Sequence, residues 1–230
     1  GYKAATADSK GFPYGKLYQW GRKYGQGYDD SDESYPSGDN VIAELVSPGA
    51  GQSEENKDKF YNYLHIYDWS KVRVDNLWNL GSEDSPMKSE YDPCPEGWRI
   101  PTQTELNALV SNRSSWLIDG GQNGYFFSGA NQYQENAPSL FLPAAGYQLN
   151  GGDTRGVRGD YWSSKSNYTR DAFGLYFLSN EVTVTSSYRK FGYSVRCVRD
   201  DAELVPVTSV TLTNSSLTLS AGATATITAT

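Results

Sequence analysis

The sequence predicts an α+β domain of short, mostly antiparallel strands, one clear helix and long loops, followed by an all-β C-terminal tail. Three observations carry that expectation: a single well-capped helical stretch near 102–112, a run of short strand patterns between Gly- and Asn-rich turns, and a loss of charge after Glu203. In a chain of 230 residues, 8 Phe, 18 Tyr and 6 Trp can bury a core, and 20% charged residues are too few for a disordered polyelectrolyte.

The helix is the most local of these signals. In Pro101-Thr102-Gln103-Thr104-Glu105 the Thr102 hydroxyl can accept from the third helical N–H while Glu105 reaches back, which is a capping box. Leu106, Leu109 and Val110 follow at helical spacing, so a helix is expected from Thr102 to Asn112. Strand patterns are expected at Gly15 to Gly21, Gly124 to Ser128, Phe141 to Pro143, Ala172 to Leu178, Val182 to Thr185 and Tyr193 to Val198. In the last of these, Tyr193, Val195 and Cys197 share one face by the period of two. Turns fall at Asp119-Gly120-Gly121 and Asn150-Gly151-Gly152. A short helix is expected from Ser53 to Tyr63, with Ser53 as N-cap and Phe60 and Leu64 on one face. One helix among many short strands defines the α+β class.

The main domain is placed at 1–200 and the tail at 201–230. Val207 to Leu212, Ser216 to Leu219 and Ala223 to Thr230 read as two or three strands, too few for a complete sandwich. Their open edges need a partner: the main domain, a neighbouring chain or the rest of a further domain.

A net charge of −7 and a pI near 4.8 argue against nucleic acid and anionic membrane surfaces as partners. No apolar run approaches the ~18 residues that span a bilayer, so no membrane insertion is expected of this segment. The single His65 is read as structural rather than as a ligand. The acidic run Asp29, Asp30, Asp32 and Glu33 has oxygen ligands suited to calcium, but its spacing is not that of an EF-hand and a solvated loop is the favoured reading. The chain opens at Gly1 with no charged-then-apolar leader, and is read as a processed or excerpted form from which any export signal is already missing.

Cys94 and Cys197 are 103 positions apart, which matches neither a metal-ligand spacing nor a C-x-x-C redox motif. They are either buried free thiols or one disulfide joining distant parts of the chain. Conditional on export the disulfide is favoured, and closing a loop of about 100 residues is worth ~4.7 kcal/mol on the chain-entropy estimate.

Four motifs occur in order: Leu17-Tyr18-Gln19-Trp20-Gly21-Arg22-Lys23, Tyr91-Asp92-Pro93-Cys94-Pro95-Glu96-Gly97-Trp98-Arg99-Ile100-Pro101-Thr102, Asp160-Tyr161-Trp162-Ser163-Ser164, and Gly192-Tyr193-Ser194-Val195-Arg196-Cys197-Val198-Arg199. Together they resemble the Fibrobacter succinogenes major paralogous domain over about residues 12–200. That family is typical of exported and surface proteins of Bacteroidetes and is similar to the C-type lectin-like fold, shared with formylglycine-generating enzymes and with variable ligand-binding proteins. The resemblance implies an extracellular or cell-surface location and places the region around Tyr18 beside the strand of Val195. It also implies a ligand face on the late segment, with Tyr161, Trp162, Lys165, Asn167, Tyr168, Tyr176, Asn180, Tyr188 and Arg189 as candidates. Such a mixture of Tyr, Trp, Asn and Arg has the physics of a binding surface, with large contact area and adaptable hydrogen bonds. Trp20 and Trp98 are read as core anchors, and Arg99 and Arg196 as loop-holding groups. The segment from Val205 to Thr230 resembles the first strands of a group-2 bacterial Ig-like domain.

The expectation is a non-catalytic ligand-binding or adhesion module recognising a glycan or a host or bacterial surface protein through residues 161–191. A structural or tip subunit of a surface fibre, self-assembling through residues 205–230, is the alternative. Formylglycine-generating chemistry needs a reactive cysteine pair holding copper, and related sulfoxide synthases need clustered histidines; two distant cysteines and one histidine disfavour both. No glycosidase-like carboxylate pair is recognisable. The tripeptides by which C-type lectins bridge calcium to sugar (Glu-Pro-Asn, Gln-Pro-Asp, Trp-Asn-Asp) do not occur, which leaves room only for a structural calcium and no cofactor beyond it.

Overall fold

The computed structural model describes residues 14–26, 40–119, 122–128, 139–149, 154–168 and 170–200. The acidic run at 29–33, the glycines of the two turns at 120–121 and 150–152, and the whole tail at 201–230 lie outside the described residues.

Twelve strands and two helices are present among the described residues, so the α+β class holds. The central sheet has five strands in the order β1 (Leu17–Gln19), β11 (Gly192–Ser194), β8 (Gly159–Ser166), β9 (Asp171–Leu178) and β10 (Glu181–Tyr188). A three-stranded sheet holds β5 (Arg113–Asp119), β6 (Gln122–Ser128) and β7 (Ser139–Pro143). Two short pairs complete the set: β2 (Val41–Ile42) with β3 (Phe60–Tyr61), and β4 (Trp98–Arg99) with β12 (Val198–Arg199). Pairing is antiparallel except for β11 with β8 and β2 with β3. The two ends of the described chain meet in the sheet, with Tyr18 opposite Tyr193.

Strand alternation sends the side chains of β8 and β9 to two different cores. On one face Tyr161, Leu175 and Phe177 pack against Val182, Leu106 and the inner residues of the three-stranded sheet, Tyr125, Phe127 and Leu142. On the other face Trp162 and Ala172 join Trp20, Trp69, Trp78, Tyr193, Ile100 and Cys94. Gly159 faces the first core at the start of β8, where an added Cβ would lie 2.0 Å from the Phe177 ring.

Helix α2 spans Gln103–Ser111, and its N-terminus is built as the sequence indicates. Thr102 Oγ1 accepts from the Glu105 N–H at 3.2 Å, and Glu105 Oε2 accepts from the Thr102 N–H at 2.8 Å. Glu105 also takes both arms of Arg99 at 2.7 Å, so the guanidinium holds the loop before the helix to its first turn. Hydrogen bonds from Arg99 and Thr102 hold Glu105 below the usual carboxylate range although burial pushes the other way.

The cysteine-containing motif folds around a buried carboxylate. Asp92 accepts from the Cys94 N–H at 2.8 Å, the Ile100 N–H at 2.9 Å and Lys88 Nζ at 2.9 Å. Cys94 is bonded to Cys197 with Cα atoms 5.8 Å apart, beside the β4–β12 pair. Of the two readings of the cysteines, the disulfide is the one present.

Three expectations are corrected here. The segment 53–63 is not one helix. It holds a single 3-10 turn at Glu54–Asn56 and strand β3, and the short helix α1 at Pro48–Gly51 precedes it. Phe60 pairs with Val41 in the parallel pair instead of sharing a helical face with Leu64, which is 72% exposed. The run Tyr193 to Val198 is not one strand, because β11 ends at Ser194 and β12 begins at Val198 with a new partner. Trp98 is not a core anchor. It sits on the two-residue strand β4 with 45% of its surface exposed, whereas Trp20 is fully buried as expected. Arg196 is exposed.

Candidate functional site

Strands β8, β9 and β10 carry Tyr161, Trp162, Lys165, Tyr176 and Tyr188, and the residues that join or follow them carry Asn167, Tyr168, Asn180 and Arg189; the sheet geometry sorts them. Tyr161 and Trp162 are successive residues on a central strand, so they point to opposite faces, and both faces are covered. Tyr161 is buried in the first core with its hydroxyl donating to the Pro143 carbonyl at 2.7 Å. Trp162 is buried in the second core, stacked 4.1 Å from the Tyr193 ring, with Nε1 donating to the Tyr18 carbonyl at 2.7 Å. Arg189 is also buried; it lies 4.5 Å over the Trp20 ring and donates to the carbonyls of Asp171 and Val74 and to Asp75. These three residues are therefore framework and not ligand contacts, which corrects the expectation that placed them on the binding face.

The remaining six fall into two groups. Lys165, Asn167 and Tyr168 lie at the β8–β9 turn, and Tyr188 faces the same end because it pairs with Asp171. Tyr176 and Asn180 lie toward the β9–β10 turn. The strand β9 between the two ends runs for seven residue steps, roughly 23 Å.

The described residues at the β8–β9 turn are tied to the body by hydrogen bonds. The Asn167 N–H donates to the Asp171 carbonyl at 2.8 Å, and the Asn167 side chain accepts from the Tyr168 N–H at 2.8 Å. The Tyr168 carbonyl accepts from Arg73, whose guanidinium lies 5.9 Å from the Tyr168 ring. Arg170 takes a left-handed φ of 61° and donates to the Ser70 carbonyl at 3.0 Å. On this support Tyr168 is 86% exposed. At the same end Tyr67, 49% exposed, stacks on Tyr188 at 4.0 Å and 12°. Beneath them Asp68 is buried between Arg189 at 3.9 Å and Arg170 at 3.8 Å. Burial raises the Asp68 carboxyl against the pull of those two cations. Tyr67 and Arg73 lie a hundred residues from the late motifs, and no local pattern marks them as neighbours of that turn.

At the other end a cavity of about 260 Å³ opens on the sheet. The cavity lies over Gly174, which pairs with Trp162 on β8 and Thr185 on β10 and whose added Cβ would lie 2.8 Å from the Tyr161 carbonyl oxygen. Its walls are Tyr176, Ser187, Tyr193 and the pair Arg158–Asp160. Arg158 Nε and Nη2 donate to the two Asp160 oxygens at 2.6 and 2.7 Å. The same guanidinium lies over the rings of Tyr147 at 4.3 Å and Tyr176 at 4.6 Å. The spacing Arg158-x-Asp160 at the head of a strand puts both residues on one face, a signal available in the sequence but not used.

Burial pushes the Asp160 carboxyl up to about 6, against the hydrogen bonds and charge of Arg158. Its ordinary value is 3.8, so between about pH 4 and 6 the folded protein holds this proton more tightly than the unfolded chain. The contribution of Asp160 to stability is therefore largest below pH 4 and is lost as pH rises through 6. A carbon-detected titration of the Asp160 carboxyl is expected to show its midpoint near 6, and a midpoint at the ordinary carboxylate value would refute this.

Among the described residues no group of three or more His, Cys, Asp or Glu side chains converges to hold a metal. His65 is exposed and meets the edge of the Tyr63 ring at 5.6 Å. No helix among the described residues is long and apolar enough to cross a membrane. Comparison of the chain with protein-family models, with curated proteins and with solved structures gives no match.

Proposed function

We propose that this chain is a non-catalytic ligand-binding module of an exported protein, with the C-type lectin-like fold implied by its four motifs, and that it recognises a glycan or a surface protein. The observation that carries this reading is Tyr168, an aromatic side chain 86% exposed on a turn fixed by Arg73, Asn167 and Arg170. A large exposed aromatic on a pre-organised turn gives contact area without the entropy cost of ordering a loop. Tyr188 and Tyr67 extend that surface, and Lys165 and Asn167 border it. The pairing of β1 with β11 supports the lectin-like arrangement, and a cystine suits an oxidising compartment.

The test is a glycan and surface-protein array probed with the whole chain, followed by titration of the best binder. Tyr168→Ala is expected to weaken that binding at least tenfold, in line with aromatic hot spots of about 2 kcal/mol. Its melting temperature should stay at the wild-type value, since the side chain buries little. Normal affinity in folded Tyr168→Ala protein removes this surface from the site.

A further inference from the structure

We infer that the Arg158–Asp160 cavity is a second binding site, built for a single neutral, polyhydroxylated ring: a terminal hexose. It names a ligand class for a place on the sheet distinct from the Tyr168 turn, and it does not depend on that turn binding anything.

Four observations lead there. The first is the guanidinium. Asp160 takes its Nε–Nη2 side, and among the described residues nothing accepts from Nη1. The Nη1–Nη2 end therefore keeps a planar pair of donors, and the side chain retains 27% exposure where it lines the cavity. A planar fork of this kind matches two acceptors a fixed distance apart, such as vicinal hydroxyl oxygens. The rings of Tyr147 and Tyr176 and the Asp160 carboxylate fix its orientation before any ligand arrives.

The second is the lining. Thr185 and Ser187 on β10 line the cavity beside Gly174, and the Tyr193 hydroxyl donates to Ser187 Oγ at 2.6 Å. Hydroxyls both donate and accept, so they suit a ligand whose own groups do both. The third is size. At about 260 Å³ the cavity lies below the ~300–1,000 Å³ usual for drug-sized ligands, leaving room for one ring.

The fourth is charge, which selects a neutral ring over an acidic one. The positive charge of Arg158 is already met by the buried Asp160, and burial, with the nearby Glu181 charge adding to it, raises the Tyr176 hydroxyl. In a chain of net charge −7, a ligand carboxylate here would face two acidic neighbours and one cation already paired.

The experiment follows backbone amide and Arg158 Nε–Hε NMR signals of the whole chain during titration with methyl glucoside, methyl galactoside, methyl mannoside and methyl glucuronide. At least one neutral glycoside should shift Gly174, Tyr176, Thr185 and Ser187 together with the Arg158 signal, while Asn167 and Tyr168 stay in place. Thr185→Val keeps the shape of an exposed β-branched side chain and removes one hydroxyl. It should weaken binding roughly fivefold, as for the loss of one hydrogen bond, at an unchanged melting temperature. Arg158→Lys, which keeps the charge and loses the planar fork, should weaken it further. The inference is overturned if no neutral glycoside shifts these signals, if Thr185→Val binds as well as wild type, or if the glucuronide binds tightest. Because the signals are read residue by residue, failure here and failure at the Tyr168 turn are told apart in one spectrum.

Discussion

Replacing Cys94 and Cys197 by Ala is expected to lower the unfolding free energy by about 4.7 kcal/mol, the chain-entropy value for a loop of about 100 residues. The closed loop spans 103 positions, and it holds α2, the three-stranded sheet and the β8–β9–β10 hairpins. Without the bond, the loop must be closed at its base by the short β4–β12 pair and by the Arg99 contacts. Those contacts are few: β4 and β12 share two register positions, Val198 with Arg99 and Arg199 with Trp98. For a domain of this size a loss of that magnitude corresponds to a fall in melting temperature of roughly 10–20 °C. Cys94 is buried and apolar in its surroundings, so Ala at that position leaves no unpaired polar group to confuse the result. Thermal melts of the double Ala variant, and of wild type with and without dithiothreitol, measure it. A melting point that neither change moves by more than a few degrees means that the cystine is not what holds the two halves together.

What the sequence revealed, and what it hid, divides along the range of the interactions. The capping box of α2 was legible because Thr102 and Glu105 satisfy each other within one turn. Strands β9 and β10 were legible because Ala172 to Leu178 and Val182 to Thr185 carry a strand pattern between turn residues. Phe60 and Leu64 also obeyed a local rule, four positions apart, yet Phe60 entered a parallel pair with Val41, a partner that no local window contains. The same limit applied to burial. Alternation says that Tyr161 and Trp162 point in opposite directions, but only the sheet order says that β8 is a central strand with a core on each side. Residues of binding type were therefore assigned to the surface in three positions, Tyr161, Trp162 and Arg189, where the tertiary structure buries them. The ring of Trp98 erred in the other direction, because a two-residue edge strand covers only part of it.

Charged side chains were the least legible of all, and Arg22 makes the sharpest prediction from that class. It follows the strand motif Leu17 to Trp20 and would ordinarily be given to solvent, but it is fully buried. Nε donates to the Gly51 carbonyl at 3.0 Å, Nη1 to the Lys59 carbonyl and to Gln19, and Nη2 to the Asn56 carbonyl at 2.7 Å. The rings of Tyr61 and Trp69 lie 5.2 and 5.8 Å from the guanidinium carbon. Burial lowers its proton affinity to about 10, which still leaves it charged at neutral pH. One cation thus ties the loop 47–59 together by donating to the backbone carbonyls of Gly51, Asn56 and Lys59. Arg22→Met keeps most of the volume and removes every donor, so the carbonyls of Gly51 and Lys59 must find water or lose their partner, while that of Asn56 keeps the Lys59 N–H at 3.1 Å. The expected cost is about 2–5 kcal/mol, from about 1–3 kcal/mol for each buried carbonyl left without a donor. Arg22→Lys retains the charge but replaces a planar fork by a single ammonium that cannot reach three carbonyls in different directions, so it should recover only part of the loss. Urea denaturation gives both free energies, and amide exchange should show the segment from Ser47 to Lys59 opening before the central sheet. If Arg22→Met unfolds within about 1 kcal/mol of wild type, the loop is held by the packing of Tyr61 and Trp69 and not by the arginine.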